Sequence, residues 1–177
     1  MKAITVFSVL FSFWLVSGCH KDEFKVPEGN LIFNSTFEVN GIPSFEGWIG
    51  SSYSFVEDVP SEGGRWALQL EPEWLPGEGY AETEISGYKG SYTFKFTCDA
   101  KSLNEWKGLV SLRLMDDSGT VTILKTIEFN YPSWSKITAS IKVSLAETDR
   151  LIIRLSAGAT ELTTGKVLFD NVNLVRD

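Results

Sequence analysis

From Asn30 to the end of this chain, apolar and polar residues alternate in segments of five to ten residues, and that period of two is the strongest constraint on what it can become. Trp66, Leu68 and Leu70 fall on one side of an extended segment. Tyr92, Phe94, Phe96 and Cys98 fall on one side of another, with Thr93, Lys95, Thr97 and Asp99 opposite. The pattern returns at Val110-Leu112-Leu114, at Ile137-Ala139-Ile141-Val143 and at Leu151-Ile153-Leu155. Side chains on an extended backbone point alternately to opposite faces, so each run predicts a strand with one buried face. Turn residues separate the runs: Ser61-Glu62-Gly63-Gly64, Pro76-Gly77, Asp117-Ser118-Gly119 and Ala157-Gly158. No stretch sustains a helical period, and Ser144 to Arg150 has room for one short turn. Many short, evenly spaced strands predict an all-β, two-sheet antiparallel sandwich or jelly roll spanning residues 30–177 as one domain.

The first eighteen residues obey a different rule. Lys2 is followed by a nearly unbroken apolar run, Ala3 to Val16, and then by Ser17-Gly18-Cys19. The run is short for a bilayer span, which takes about 20 apolar residues. A charged start, a short apolar core and small residues before the cut are what a secretory signal needs. Val16-Ser17-Gly18-Cys19 resembles the bacterial lipobox, which implies cleavage after residue 18 and acylation of Cys19. Cys19-His20-Lys21-Asp22-Glu23 resembles the surface-export tag of Bacteroidota lipoproteins, which implies a lipid-anchored protein on the outer face of the outer membrane. Residues 19–29 then read as the lipidated cysteine and its polar tether.

Charge and cysteine count exclude other classes. The formal net charge is −7, and removal of Lys2 with the signal makes it one unit more negative. Such a surface, with no basic stripe, repels phosphate backbones, so nucleic acid is not an expected partner. With Cys19 lipidated, Cys98 has no partner for a disulfide, and its apolar neighbours predict a buried, inert thiol. The one histidine, His20, adjoins the lipid, which removes His-dependent nucleophilic schemes and zinc clusters. Carboxylate pairs are the remaining catalytic route. Glu82 and Glu84 share one side of a strand and read as a polar strand face, and Asp116-Asp117 read as a turn. The expectation is a protein that is not an enzyme.

The two ends of the domain carry a resemblance. Asn30-Leu31-Ile32-Phe33-Asn34-Ser35-Thr36-Phe37-Glu38 with Gly47-Trp48 resembles the opening of jelly-roll carbohydrate-binding modules of the galactose-binding-like type. Val167-Leu168-Phe169-Asp170-Asn171-Val172-Asn173-Leu174 resembles their last strand, and Gly63-Gly64-Arg65-Trp66-Ala67-Leu68-Gln69-Leu70 the strand after their first long loop. The resemblance implies a galactose-binding-like fold and a structural calcium. Glu38 and Asp170 would be its carboxylate ligands, with carbonyls from the loop Asp58 to Gly63. Calcium takes six to eight hard oxygens, which such a mixture supplies.

Aromatic residues in polar loops mark the expected ligand site. Of six tryptophans, Trp14 lies in the signal, while Trp48, Trp66 and Trp134 read as packing residues. Trp74 and Trp106 stand in polar loops, where exposed indoles suit the C–H faces of sugar rings. Trp74, Tyr80 and Trp106, with Glu73, Glu78 and Asn104 beside them, form the candidate ligand site. A sheet face lined by Arg113, Arg154, Lys95, Asp99 and Gln69 is the second. The leading expectation is a non-catalytic, surface-anchored lipoprotein that binds poly- or oligosaccharide, working beside outer-membrane uptake proteins. The alternative is a structural or assembly lipoprotein that binds another envelope protein.

Overall fold

A computed structural model describes residue 26 and residues 28–72, 79–104, 106–158 and 165–177. Among these residues there are twelve strands and no helix. They are β1 (Glu38–Val39), β2 (Ile42–Pro43), β3 (Ile49–Ser51), β4 (Tyr53–Val56), β5 (Ala67–Leu70), β6 (Tyr80–Ile85), β7 (Gly90–Leu103), β8 (Gly108–Met115), β9 (Val121–Phe129), β10 (Ser135–Leu145), β11 (Arg150–Ala157) and β12 (Lys166–Arg176). One five-stranded antiparallel sheet has the order β10-β7-β12-β5-β4, the other β3-β6-β11-β8-β9, and β1-β2 forms a small hairpin. The architecture is the predicted all-β sandwich.

The period of two explains the core directly. In β10, Ile137, Ala139, Ile141, Val143 and Leu145 point inward, while Lys136, Thr138, Ser140, Lys142 and Ser144 face out. The inward rows of β7 and β12 meet the inward rows of β8 and β11: Phe94, Phe96, Cys98, Phe169 and Leu174 against Val110, Leu112, Leu151, Ile153 and Leu155. Cys98 is fully buried, as expected, and burial first and the adjacent Asp99 second push its thiol well above its usual range. Trp48 joins the core. Trp66 does not: β5 begins one residue later, and the half-buried indole donates to the Gly41 carbonyl with Arg65 above it.

Two strands escaped the alternation. β9 is an edge strand whose Val121 and Ile123 stay exposed, and Lys125 and Glu128 keep that edge charged. β12 lies third in its sheet and is buried from Val167 to Leu174, polar residues included. Its register shifts between Asp170 and Asn173, and Asn171 takes the left-handed conformation at φ 51°. That bulge turns polar groups toward the entering chain. The Asn30 side chain accepts from the backbone N–H groups of Ile32 and Leu174 and donates to Asn173 Oδ1 at 2.9 Å. Val172 N–H donates to the Ser35 carbonyl, and Leu31 N–H to that of Leu174. The first described segment is therefore stitched to the last strand.

Replacing Asn30 by alanine strands two backbone N–H groups at this junction. The expected cost is about 2 kcal/mol, read as a lower urea midpoint at unchanged slope.

Candidate functional site

The outward face of the β3-β6-β11-β8-β9 sheet gathers charge in an ordered way. On β6, Tyr80, Glu82 and Glu84 point outward, and the register sets Tyr80 against Ser156, Glu82 against Arg154 and Glu84 against Ile152. The neighbouring strand places Ser111 beside Arg154 and Arg113 beside Ile152. Glu82 is consequently flanked by two arginines. Arg154 Nη1 donates to Glu82 Oε1 at 2.9 Å, and Arg113 Nη1 approaches the same oxygen at 3.4 Å. All three side chains are about four-fifths buried. The Arg154 guanidinium also lies 4.0 Å from the Tyr80 ring centroid, a stacking geometry that fixes both groups. Further along, Arg150 Nη1 donates to Glu84 Oε2 at 3.2 Å. Ile49, on β3 opposite Glu82, leaves an exposed apolar flank. The face thus offers fixed donors, a fixed acceptor, an aromatic ring and an apolar margin, which is what a hydroxyl-rich ligand needs for orientation.

The candidate ligand residues divide. Tyr80 stands on this face. Asn104 sits in the exposed turn after β7, in the left-handed conformation at φ 59°. Trp106, expected in an open loop, is only 6% exposed. Its ring lies so close against Gly165 that a Cβ there would overlap it, and its Nε1 has no hydrogen-bond partner among the described residues. It packs as the anchor of that end of the sandwich and offers no open platform. Tyr80, Asn104 and Trp106 do share one end of the molecule, since β7 and β11 finish there and β6, β8 and β12 begin there. Glu73, Trp74 and Glu78, with Cys19, lie outside the described residues. The second expected groove does not assemble: Arg113 and Arg154 stand on one sheet, whereas Lys95, Asp99 and Gln69 stand on the other. The part read too blandly was Glu82 and Glu84, which are ion-paired rather than simply solvated. Only the pairing of β6 with β11, some 70 residues apart in sequence, reveals it.

A second polar centre lies on the outward side of the other sheet. Asp170 is fully buried at the β12 bulge. Its Oδ1 accepts from Asn171 N–H at 2.8 Å, and its Oδ2 has no hydrogen-bond partner among the described residues. Burial pushes this carboxyl up to about 8, against the lowering effect of the Asn171 N–H, and the carboxylates of Asp99 and Glu38 push the same way as burial. Asn171 Nδ2 donates to Asp99 Oδ2 at 2.8 Å. Two glycines make room for the acids. A Cβ on Gly63 would meet Asp170 Oδ2 at 2.5 Å, and one on Gly64 would overlap Glu38 Oε1. Glu38 Oε2 accepts from Arg65 N–H at 3.0 Å. The preceding loop is pinned through Asp58, whose carboxylate takes Lys101 Nζ at 2.6 Å and Trp134 Nε1 at 3.0 Å. Although burial raises the Asp58 carboxyl, these bonds hold it below its usual range.

An orphaned buried oxygen, a second carboxylate nearby and two glycine backbones held open around them form a donor set that suits a hard cation. No group of three His, Cys, Asp or Glu side chains with metal-holding geometry occurs among the described residues, so carbonyls would have to complete the shell.

Comparison with known proteins bears on the fold. No protein-family model matches, and no curated protein matches. Among solved structures, the chain is similar to the enzymatically active domain of bacteriophage CBA120 tailspike protein 4, with 17% identity and a TM-score of 0.61 over 84% of this chain. It spans only 22% of that protein. It is similar to a family 16 carbohydrate-binding module at 19% identity and a TM-score of 0.59, covering 82% of this chain and 99% of that one. It is also similar to TmCBM61, solved with β-1,4-galactotriose, at 17% identity and a TM-score of 0.54, covering 84% and 99%. The fold is that of jelly-roll carbohydrate-binding modules. At these identities the likeness speaks for the fold alone.

The Asp170 carboxyl generates a pH dependence in metal-free protein. Its pKa is raised on folding from the ordinary 3.8 to about 8, so the folded state holds a proton that the unfolded state releases. That contribution is fully present below about pH 4 and is lost as pH rises through 8. In chelator, denaturation midpoints should therefore fall between pH 5 and pH 8, and Asp170→Asn should flatten the slope.

Proposed function

We propose that this chain is a non-catalytic glycan-binding lipoprotein, anchored in the outer membrane through Cys19 and holding poly- or oligosaccharide at the cell surface. The observation that supports it most is the Tyr80-Glu82-Arg113-Arg154 cluster: an aromatic ring and a carboxylate locked by two guanidinium groups on the outward side of one sheet. Sugars are bound by planar polar groups that take adjacent hydroxyls, together with an apolar or aromatic surface for the ring's C–H groups. Several structural neighbours are carbohydrate-binding modules, one of them holding a galactotriose, and this supports the same ligand class. A non-catalytic reading accords with the engagement of both candidate acids, Glu82 and Glu84, by arginines. Nothing in the cluster selects one glycan over another.

The test is affinity electrophoresis of residues 24–177 through gels containing a panel of neutral and acidic polysaccharides. Retardation by at least one polymer is expected, and Tyr80→Ala or Glu82→Gln should weaken it about tenfold, the loss of one central contact. Free migration through every gel would defeat the reading in favour of a protein partner.

The buried carboxylates belong to the same proposal as a structural calcium site. Asp170 and Glu38 would supply side-chain oxygens, and the loop Asp58 to Gly63 carbonyls. Calcium would hold Asp170 ionised and so replace the proton that burial otherwise demands. Isothermal calorimetry should show one calcium site and thermal unfolding a higher midpoint with calcium, both lost in Asp170→Asn. Identical melting with calcium and with chelator would remove the metal.

A further inference from the structure

Residues 30–52 join the two sheets. At their start they are fastened to β12 of the first sheet: Asn30 bridges Val175, Leu31 N–H donates to the Leu174 carbonyl, and Val172 N–H donates to the Ser35 carbonyl. At their end they are fastened to β6 of the other sheet. Thr83 Oγ1 donates to the Gly47 carbonyl at 2.9 Å, and β3 sets Ile49 against Glu82 and Ser51 against Tyr80. In between, Phe37 and Trp48 are buried together with ring centroids 5.0 Å apart. The Asn34 amide donates to the Ser44 and Glu46 carbonyls, and its backbone carbonyl accepts from Trp48 Nε1. The segment is a strap, with one end on the strand of the buried carboxylates and the other on the strand of the ligand face.

The strap carries a residue of each centre. Glu38 stands beside Asp170 at the Gly63-Gly64 turn. Among the described residues its carboxylate accepts one hydrogen bond, from Arg65 N–H at 3.0 Å. Ile49 is the exposed apolar margin of the face, directly opposite Glu82. The strap is also strained. Six non-glycine residues among those described take the left-handed conformation, and four belong to it: Asn34, Phe37, Asn40 and Ser52, at φ 51° to 55°. Asparagine tolerates that region, whereas Phe37 and Ser52 do not favour it. β3 itself is a three-residue edge strand, hydrogen-bonded to β6 alone within its sheet. A short edge strand at the end of a strained segment opens more readily than the core strands.

A cation shared by Glu38 and Asp170 would tie the strap to β12 at one further point, and that gain exists only while the strap is docked. A ligand that binds one of two states shifts the population toward it. Docking of the strap is also what seats Gly47 and β3 on β6.

We infer that residues 30–52 couple the two centres: calcium at Glu38 and Asp170 holds the β3 flank in place and so tightens the Tyr80-Glu82 face on its glycan. This rests on the calcium and the glycan of the proposed function. The test is amide hydrogen exchange and calorimetry on the full-length protein, with calcium as the probe. Calcium should slow exchange about tenfold at residues 44–51 as well as at residues 30–38, and leave β8 unchanged. Coupling is reciprocal, so Thr83→Val, which removes the bond to the Gly47 carbonyl, should weaken calcium binding about fivefold. Ile141→Val, in the edge strand β10, should bind calcium as the unaltered protein does. In any polysaccharide gel that retards the protein, calcium should increase the retardation, and Thr83→Val should reduce the increase. Slowing confined to residues 30–38, equal slowing of every strand, unweakened calcium binding by Thr83→Val, or retardation indifferent to calcium overturns the coupling while leaving the two sites. Absence of a calcium-binding heat overturns the metal and the coupling together, and free migration in every gel overturns the glycan and the coupling together.

Discussion

A carboxylate with no access to water, Asp170, sits in the middle of a five-stranded sheet, and much of the molecule is arranged around that fact. A buried acid is tolerated only when it is neutralised, paired or bound to a cation. Here the chain bulges at Asp170-Asn171, spends one N–H on the carboxylate and turns Asn171 toward Asp99. The same bulge brings Val172 N–H and the Leu174 backbone into register with the entering segment. Gly63 and Gly64 must be glycines because the acids occupy the space a Cβ would take. The acid, the bulge, the closure of the domain and the glycine-rich turn are one device.

That device sits on one sheet, while the Tyr80-Glu82-Arg113-Arg154 face belongs to the other. The separation lets the two serve different ends. Acids that hold the domain together stand on one sheet, and the arginine-locked carboxylate stands on the outward side of the other. Two guanidinium groups on one oxygen also orient it, because side chains held on both sides lose little freedom when a ligand arrives.

Strand content was largely legible in the sequence, because a half-buried strand must alternate and β7, β8, β10 and β11 do. β12 was legible only through resemblance, since its buried run Asp170 to Asn173 mixes polar and apolar residues without a period. β9 carried no clear signal, because an edge strand is not forced to alternate. Glu38 and Asp170 do lie near one another, while Lys95, Asp99 and Gln69 were grouped on one face with Arg113 and Arg154, which stand on the other sheet. Trp106 misled because polarity of its flanking residues was taken for exposure. A glycine 59 positions later, Gly165, makes the hollow that the indole fills.

What the sequence by itself determined was local: which residues can face inward together and where the chain turns. These follow from side-chain direction, turn geometry and composition, which act over a few residues. Tertiary structure alone decided which strands lie side by side, and so which charges meet. Glu82 is between two arginines only because β6 pairs with β11 and β11 with β8. Register between distant strands is set by the packing of whole faces against one another, a cooperative property that no single segment carries.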